Sequence, residues 1–404
     1  MSVISIMSGT YCGKDEVVES LRASTGYEVV GDAALIDSAQ ALSGLSRDKI
    51  ARALTARTSV FNKFNREKER AVAWLRLATA QALAADGLVL DGFCGLLVPG
   101  AVTHALRVCL IADIRHRLDA AQAQGVAEKD ALRAIRQSDE DCAAWVDTVL
   151  HNKDPWSAGL YDILIPMHGM DGARAAGLVM ENLGKDAVRT TDASRRAVQD
   201  FALAARVGVH LVGEGHDVAV DAKDGTVILT INKNVMLLSR LEEELRAEAA
   251  RVPGVGAVEV RVGSGFYQTD IYRKVDFEMP SKVLLVDDER EFVQTLSERL
   301  SLRDVGSHVV YDGEAALDMV GRDEPEVMIL DLKMPGIDGI EVLRRVKRES
   351  PAIEVIILTG HGSAQDRDTC MSLGAFAYLQ KPVDIEVLSR TLREAHEKIR
   401  NRAR

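Results

Sequence analysis

Four short fragments in the last third of the chain place acidic, hydroxyl and lysine residues at the ends of apolar runs. LLVDDE carries Asp287 and Asp288, MILDLKMPGIDG carries Asp331, VIILTGHGS carries Thr359, and AYLQKP carries Lys381 just before Pro382. In a doubly wound sheet the carboxyl ends of the strands share the edge where ligands bind, so the four fragments converge on one pocket. Three carboxylates held together repel and raise one another's pKa unless a cation neutralises them. An oxygen-rich cluster of that kind suits Mg²⁺. With Mg²⁺ and the Lys381 ammonium nearby, a carboxylate of Asp331 can attack an incoming phosphoryl group, because the cations offset charge on the equatorial oxygens. The product is an acyl phosphate of roughly −2 charge, and the Thr359 hydroxyl can donate to one of its oxygens. Taken singly, each residue is more simply a turn, a helix cap or a loop lysine; the order and spacing of all four carry the reading.

The elements that must position these residues follow from the pattern around them. Residues 282–404 repeat β-α five times, with strands KVLLVD, SHVVY, VMILD, EVIILT and AYLQ and with Gly and Pro between elements. This block resembles the response-regulator receiver family over its whole length. The resemblance implies a flavodoxin-like (βα)5 fold with Asp331 as phosphoacceptor. It implies a Mg²⁺ site made by Asp287, Asp288, Asp331 and the backbone carbonyl of Lys333. Thr359 and Lys381 match the switch hydroxyl and the phosphate-binding lysine, and Tyr378 the aromatic switch whose ring turns inward on activation. The implied phosphodonor is a histidine kinase or phosphotransferase.

Residues 1–190 also alternate strand and helix. VISIM (3–7), GLVLDG (87–92), LRVCLIA (106–112) and YDILIPM (161–167) read as buried strands, and 67–85 and 127–150 as helices. Strands alternating with helices imply a parallel α/β sheet. The segment Ser8-Gly9-Thr10-Tyr11-Cys12-Gly13-Lys14-Asp15 follows the first strand and opens a helix, the context of a phosphate-cradling loop. The full P-loop pattern needs Gly at position 8 and Ser or Thr at position 15, where Ser8 and Asp15 stand. The block resembles the cytidylate-kinase-like family through this loop, GYEVVGDAALI, HALRVCLIADIRHRL, the SDEDCAAW segment and the closing YDILIP. The resemblance implies a P-loop-kinase-like fold and nucleotide contacts, ATP among them, from Gly9, Gly13, Lys14, Asp32 and Arg117. Phe93 and Cys142 stand where the family carries arginines, so the block reads as a degenerate kinase with a sensory or scaffolding role.

Residues 195–268 read as α-β-β-α-β. A helical run precedes DVAVDAKDGTVILTI, in which Asp224-Gly225 is a hairpin signal, and a second helix over 236–251 precedes AVEVRV. The block resembles a BON domain, a small α+β module linked to lipid or ligand association, and is expected to serve interaction or dimerisation. Residues 269–281 read as a linker.

The 404-residue chain is 47% apolar and 27% charged, ordinary for packed cores, and its net charge of −11 argues against a surface built for nucleic acid or anionic lipid. Five cysteines at 12, 94, 109, 142 and 370 form no C-x-x-C pair, and no apolar run is long enough to span a bilayer. These features give the expectation of a cytoplasmic protein bound to neither DNA nor membrane. The leading functional expectation is a two-component response regulator; the alternative is a nucleoside monophosphate kinase controlled by its receiver.

Overall fold

The computed structural model describes residues 2–235, 237–267, 279–301, 303, 305–360 and 362–402, with the side chains of 63 and 64 excepted. The described chain falls into two compact units, Met1–Thr58 with Glu67–Arg273 and Ser59–Arg66 with Lys274–Arg404. Of the expected linker over 269–281 only 279–281 are described, and there Met279 is buried in the core of the second unit rather than forming a linker. Among the described residues no helix is long and apolar enough to cross a membrane.

The first unit begins with β1 (Val3–Ser8), α1 (Lys14–Thr25), β2 (Glu28–Gly31), α2 (Asp32–Ser43) and α3 (Arg47–Ala53). After the single turn α4 (Asn62–Asn65) come α5 (Glu67–Ala82), β3 (Leu88–Asp91), β4 (Ala105–Ile111), α6 (Ile114–Ala123), α7 (Glu128–Leu150), β5 (Ile163–Pro166) and α8 (Gly172–Leu183). The strands pair in parallel in the order β2-β3-β1-β4-β5. β1 lies centrally, with five of its six residues buried, the small polar Ser5 among them, as a strand covered on both faces requires. The strands expected at 3–7, 87–92, 106–112 and 161–167 coincide with β1, β3, β4 and β5. β2 was not foreseen as a strand: its sequence EVVG has two apolar residues, and it sits at the sheet edge with no residue fully buried. On α7 the buried residues Ala131, Ile135, Cys142, Trp145 and Val146 recur at helical spacing, and the Trp145 indole N–H donates to the Phe93 carbonyl at 2.8 Å.

α9 (Asp192–Gly213), β6 (Ala219–Lys223), β7 (Thr226–Ile231), α10 (Leu238–Ala250) and β8 (Ala257–Val262) complete this unit in the expected α-β-β-α-β order. β6 and β7 form an antiparallel hairpin, and β8 pairs parallel to β7. Asp224 and Gly225 both have positive φ, 49° and 77°, as a two-residue turn between twisted strands demands. A capping box between Thr191 and Ser194 starts α9. One face of α9 places Phe201 and Ala205 in the core beneath the five-stranded sheet; another places Leu203, Val207 and Leu211 in the core of the three-stranded sheet.

The second unit runs β9 (Val283–Val286), α11 (Arg290–Ser301), β10 (Ser307–Val310), α12 (Gly313–Arg322), β11 (Val327–Leu330), α13 (Gly339–Glu349), β12 (Glu354–Thr359), α14 (Ala364–Ser372), β13 (Ala377–Gln380) and α15 (Ile385–Arg402). All pairings are parallel, in the order β10-β9-β11-β12-β13, the flavodoxin-like arrangement. Every residue of β9, β11 and β12 is buried, because helices cover both faces. Ala316, Val342 and Val346 pack one face, and Val293, Leu296, Leu388 and Leu392 the other.

Ser59–Arg66 belong to this second unit, which nothing in the sequence pattern announced. Phe61 is fully buried there, edge-on to the His308 ring at 6.2 Å and 6.0 Å from Lys282 Nζ. Asp323 Oδ2 accepts from Ser59 Oγ at 2.8 Å and from the Val60 N–H at 3.0 Å, and its Oδ1 accepts from Lys282 Nζ at 3.2 Å. Burial pushes the Asp323 pKa up, but the Ser59 hydrogen bond and the Lys282 charge outweigh it and hold the carboxyl below its ordinary value. A carboxyl depressed in the folded state adds stability that is complete above its unfolded pKa of about 3.9 and is lost as pH falls through the folded value. Asp323→Asn is therefore expected to lower the urea midpoint of this unit at neutral pH, with the gap from the native chain closing in acid below about pH 4. A gap of constant size across that range would show that the carboxylate charge contributes nothing.

Candidate functional site

The carboxyl ends of β9, β11, β12 and β13 lie along one edge of the second sheet, and the four sequence fragments meet there. Asp287 and Asp288 follow β9, Asp331 follows β11, Thr359 ends β12 and Lys381 follows β13. One oxygen from each of Asp287, Asp288 and Asp331 lies within 4.8 Å of the others. Asp287 and Asp331 are 4% and 5% exposed, whereas Asp288 opens to solvent, so the cluster has a buried side and a wet side. Lys333 lies exposed in the same loop as Asp331.

Hydrogen bonds divide the two oxygens of Asp331. The Leu332 N–H donates to Oδ1 at 2.7 Å, while Oδ2 faces Lys381 Nζ at 3.4 Å. Lys381 Nζ also meets Asp287 Oδ2 at 2.7 Å and Glu289 Oε1 at 2.8 Å, and it lies 4.5 Å from the Phe292 ring centroid. Burial pulls the Lys381 pKa down, but Asp287, Glu289 and Asp331 outweigh it and hold the ammonium above its ordinary value. Burial raises the Asp287 pKa in spite of Lys381 and of the Glu289 N–H that donates to its Oδ1. Glu289 and Phe292 were not among the expected site residues. Glu289 completes the quoted VDDE run and was legible; Phe292 is one apolar residue on an amphipathic helix and gave no signal.

Glycines allow the close approaches. A Cβ at Gly339 would overlap the Asp331 carbonyl oxygen and stand 2.7 Å from Leu332 Cα, so the loop bearing Asp331 can lie against the start of α13 only over a glycine. A Cβ at Gly362 would overlap Tyr378 Oη and stand 3.1 Å from Thr359 Cγ2. The Tyr378 hydroxyl is thus buried against Gly362 on the Thr359 side, and among the described residues it has no hydrogen-bond partner. Thr359 itself is fully buried. Gly362→Ala is expected to expel the Tyr378 ring toward solvent. With 3-fluorotyrosine incorporated and the resonance assigned by Tyr378→Phe, its ¹⁹F signal should move to the free-tyrosine position. An unmoved signal would mean that the ring does not occupy this space.

In the first unit a cavity of about 430 Å³ opens beside the loop after β1, lined by Gly9, Gly13, Lys14, Asp15, Asp32 and Gly92 among others. Tyr11 and Gly13 adopt positive φ, 62° and 71°. Lys14 Nζ pairs with Asp91 Oδ1 at 2.6 Å. The Asp32 carboxylate accepts from the Phe93 and Cys94 N–H groups at 2.8 and 2.9 Å and so caps the turn after β3. Burial raises its pKa against those two bonds. The Arg117 guanidinium makes a bidentate pair with Asp139 at 2.8 and 2.9 Å and donates through Nε to the Thr10 carbonyl at 2.8 Å. Arg117 therefore braces the loop from behind, and the structure does not place it on the cavity lining. Asp91 as the partner of Lys14, and Asp139 as that of Arg117, were missed because a carboxylate's partner is decided by packing, not by sequence spacing.

The second sheet has the flavodoxin-like order with an acidic edge, and residues 283–393 match the family model described as response regulator receiver domain. Residues 3–168 match the cytidylate kinase-like family. Among curated relatives, the response regulator MprA of Mycolicibacterium vanbaalenii is 34% identical over 115 residues, covering 28% of this chain and 50% of that protein. MprA of Mycobacterium bovis shows the same identity and coverage. The chain thus spans about half the length of the curated relatives it matches. Among solved structures, a response regulator receiver domain from Clostridium thermocellum is 32% identical, covering 30% of this chain and 97% of that one with a TM-score of 0.29.

Proposed function

We propose that the protein is a two-component response regulator that accepts a phosphoryl group on Asp331 in a Mg²⁺-dependent reaction. The observation that carries this reading is the placement of Asp331 Oδ2 against Lys381 Nζ at 3.4 Å, inside a cluster whose three carboxylates each offer an oxygen within 4.8 Å of the others. The donor set fits a small hard cation: the ligand atoms are carboxylate oxygens, and the exposed side at Asp288 leaves room for the waters Mg²⁺ retains. When bound, the ion would neutralise charge on the phosphoryl oxygens. Asp331 Oδ2 attacks phosphorus, the bond from phosphorus to the donor's imidazole nitrogen or acyl oxygen breaks, and the electron pair leaves with the donor. Lys381 stands where a phosphoryl oxygen would arrive, and Thr359 ends the neighbouring strand, where its hydroxyl would meet the product. The partner supplying the group is a histidine kinase or phosphotransferase. Incubation with acetyl phosphate and Mg²⁺, read by intact mass, should add one acid-labile phosphoryl group per chain. Equal labelling in excess EDTA would remove the Mg²⁺ requirement, and no labelling in either would remove the reading.

A second reading concerns the first unit. The 430 Å³ cavity along the loop after β1 favours binding of a nucleotide, ATP among the candidates. Lys14 is already paired to Asp91, and Arg117 to Asp139, which favours sensing over turnover, since phosphoryl transfer needs cations free to face the transferring group. By this reading the kinase-like domain is a sensor or effector rather than a cytidylate-type kinase. Titration calorimetry should show ATP binding that weakens about tenfold in Lys14→Ala, the scale of one charge-assisted hydrogen bond. Absence of heat with the native chain would remove both sensing and catalysis. The α-β-β-α-β module is read as BON-like on its element order and its DG hairpin, with an interaction role.

A further inference from the structure

The first unit holds a second cleft, far in sequence from the loop after β1. It lies between α5, the C-terminal end of α7, α9 and β6, as two adjoining cavities of about 340 and 510 Å³. Both are lined by Arg76, Leu97, Val149 and Val220, so Arg76 stands where they join. Volumes in this range are those of small-molecule sites, which are mostly apolar with a few fixed polar groups.

Two features distinguish this cleft from a packing flaw. The first is Arg76. Among the described residues its guanidinium makes no hydrogen bond or ion pair; its one close partner is the Phe201 ring, 5.7 Å from Cζ. Burial depresses its pKa, with the Asp221 charge opposing from beyond ion-pair distance. Arg76 is half-buried, and a cation without an ion-pair partner where two cavities join is a ready counter-charge for an anion. Of the other cations on the lining, Lys233 is already paired with Asp217 at 2.7 Å and Arg107 donates to the Pro99 carbonyl at 3.0 Å. The second feature is Gly208, in the last two turns of α9 on the wall of the 340 Å³ cavity. Glycine is the poorest helix former after proline. Here nothing excludes a side chain, since an added Cβ would meet only Val220 Cγ2, at 4.0 Å. A glycine that tolerates a Cβ yet lacks one keeps the cavity open.

We infer that this cleft is a binding site for a small apolar anion, an apolar body carrying one carboxylate, sulfonate or phosphate, with Arg76 receiving the charged group and the α9 wall at Gly208 receiving the apolar part. The site is independent of Asp331 and of the loop after β1.

The probe for the test is 1-anilinonaphthalene-8-sulfonate, an apolar body with one anionic group, beside its uncharged counterpart N-phenyl-1-naphthylamine. The full chain is expected to bind one anionic probe saturably, with enhanced fluorescence. Arg76→Gln should weaken the anionic probe about tenfold and leave the neutral one unchanged, as loss of a charge-assisted hydrogen bond predicts. Gly208→Leu should abolish binding of both; this substitution improves helix propensity, and an unshifted melting temperature will show that the fold survives. No saturable binding by the native chain would overturn the proposal. So would equal affinity of the two probes, equal loss of both in Arg76→Gln, or full binding by a folded Gly208→Leu protein.

Discussion

Asp331→Asn is expected to gain no acid-labile phosphate from acetyl phosphate and Mg²⁺ under conditions where the native chain gains one. The amide keeps the shape of the side chain and can still accept the Leu332 N–H, so the loop is held as before. What it lacks is the anionic Oδ2 that faces Lys381. Lost nucleophilicity at one atom should appear as an all-or-none effect on labelling with little change in melting temperature. Labelling of Asp331→Asn at the native level would place the acceptor elsewhere, and Asp287, which is mostly buried and raised in pKa, would be the next residue to test. Gly339→Ala offers a complementary outcome. The added Cβ would overlap the Asp331 carbonyl and displace the loop, so labelling should slow although every site residue remains.

Phe61→Ala carries the largest expected effect on stability. The ring is fully buried in the second unit, beside His308 and Lys282. Truncating a buried phenylalanine removes its transfer free energy and leaves a cavity, typically about 3–5 kcal/mol in all. That is a large share of the roughly 5–15 kcal/mol that holds an ordinary domain. Urea denaturation of the full chain, followed by hydrogen exchange of the β9 and β11 amides, should show the loss in this unit. Phe61→Leu should recover most of it. A loss under about 1 kcal/mol would mean that the site collapses around the smaller side chain.

The receiver was legible because its chemistry and its sheet share one grammar. Strands β9 and β11 are wholly apolar and β12 is apolar between Glu354 and Thr359, and the acidic, hydroxyl and lysine residues sit at strand ends, so assigning the strands also assigned most of the site. Asp287, Asp288, Asp331, Thr359 and Lys381 were placed together on those grounds, and the structure brings them together. Glu289 stands in the same run and was as visible as the two aspartates before it. The α-β-β-α-β order of residues 195–268 was legible from Asp224-Gly225 and from alternation in β6. β2 was not, since a four-residue edge strand with two valines gives too short a period to register. The partners of Lys14 and Arg117 were not legible either: each is a carboxylate many residues away that the fold alone brings near. The membership of Ser59–Arg66 in the second unit lay furthest from reach. A buried Phe61 in a polar stretch looks like any isolated aromatic residue until its neighbours, Lys282, His308 and Asp323, are known.

The two-faced packing of α9 has a consequence for how the first unit comes apart. Phe201 and Ala205 anchor it under one sheet, and Leu203, Val207 and Leu211 under another. Neither sheet can open its core on that side without disturbing a helix that the other also holds. The two should therefore lose amide protection as a single cooperative step rather than as beads on a string, and a protease should find no cleavable seam near residue 190 from which each half emerges intact.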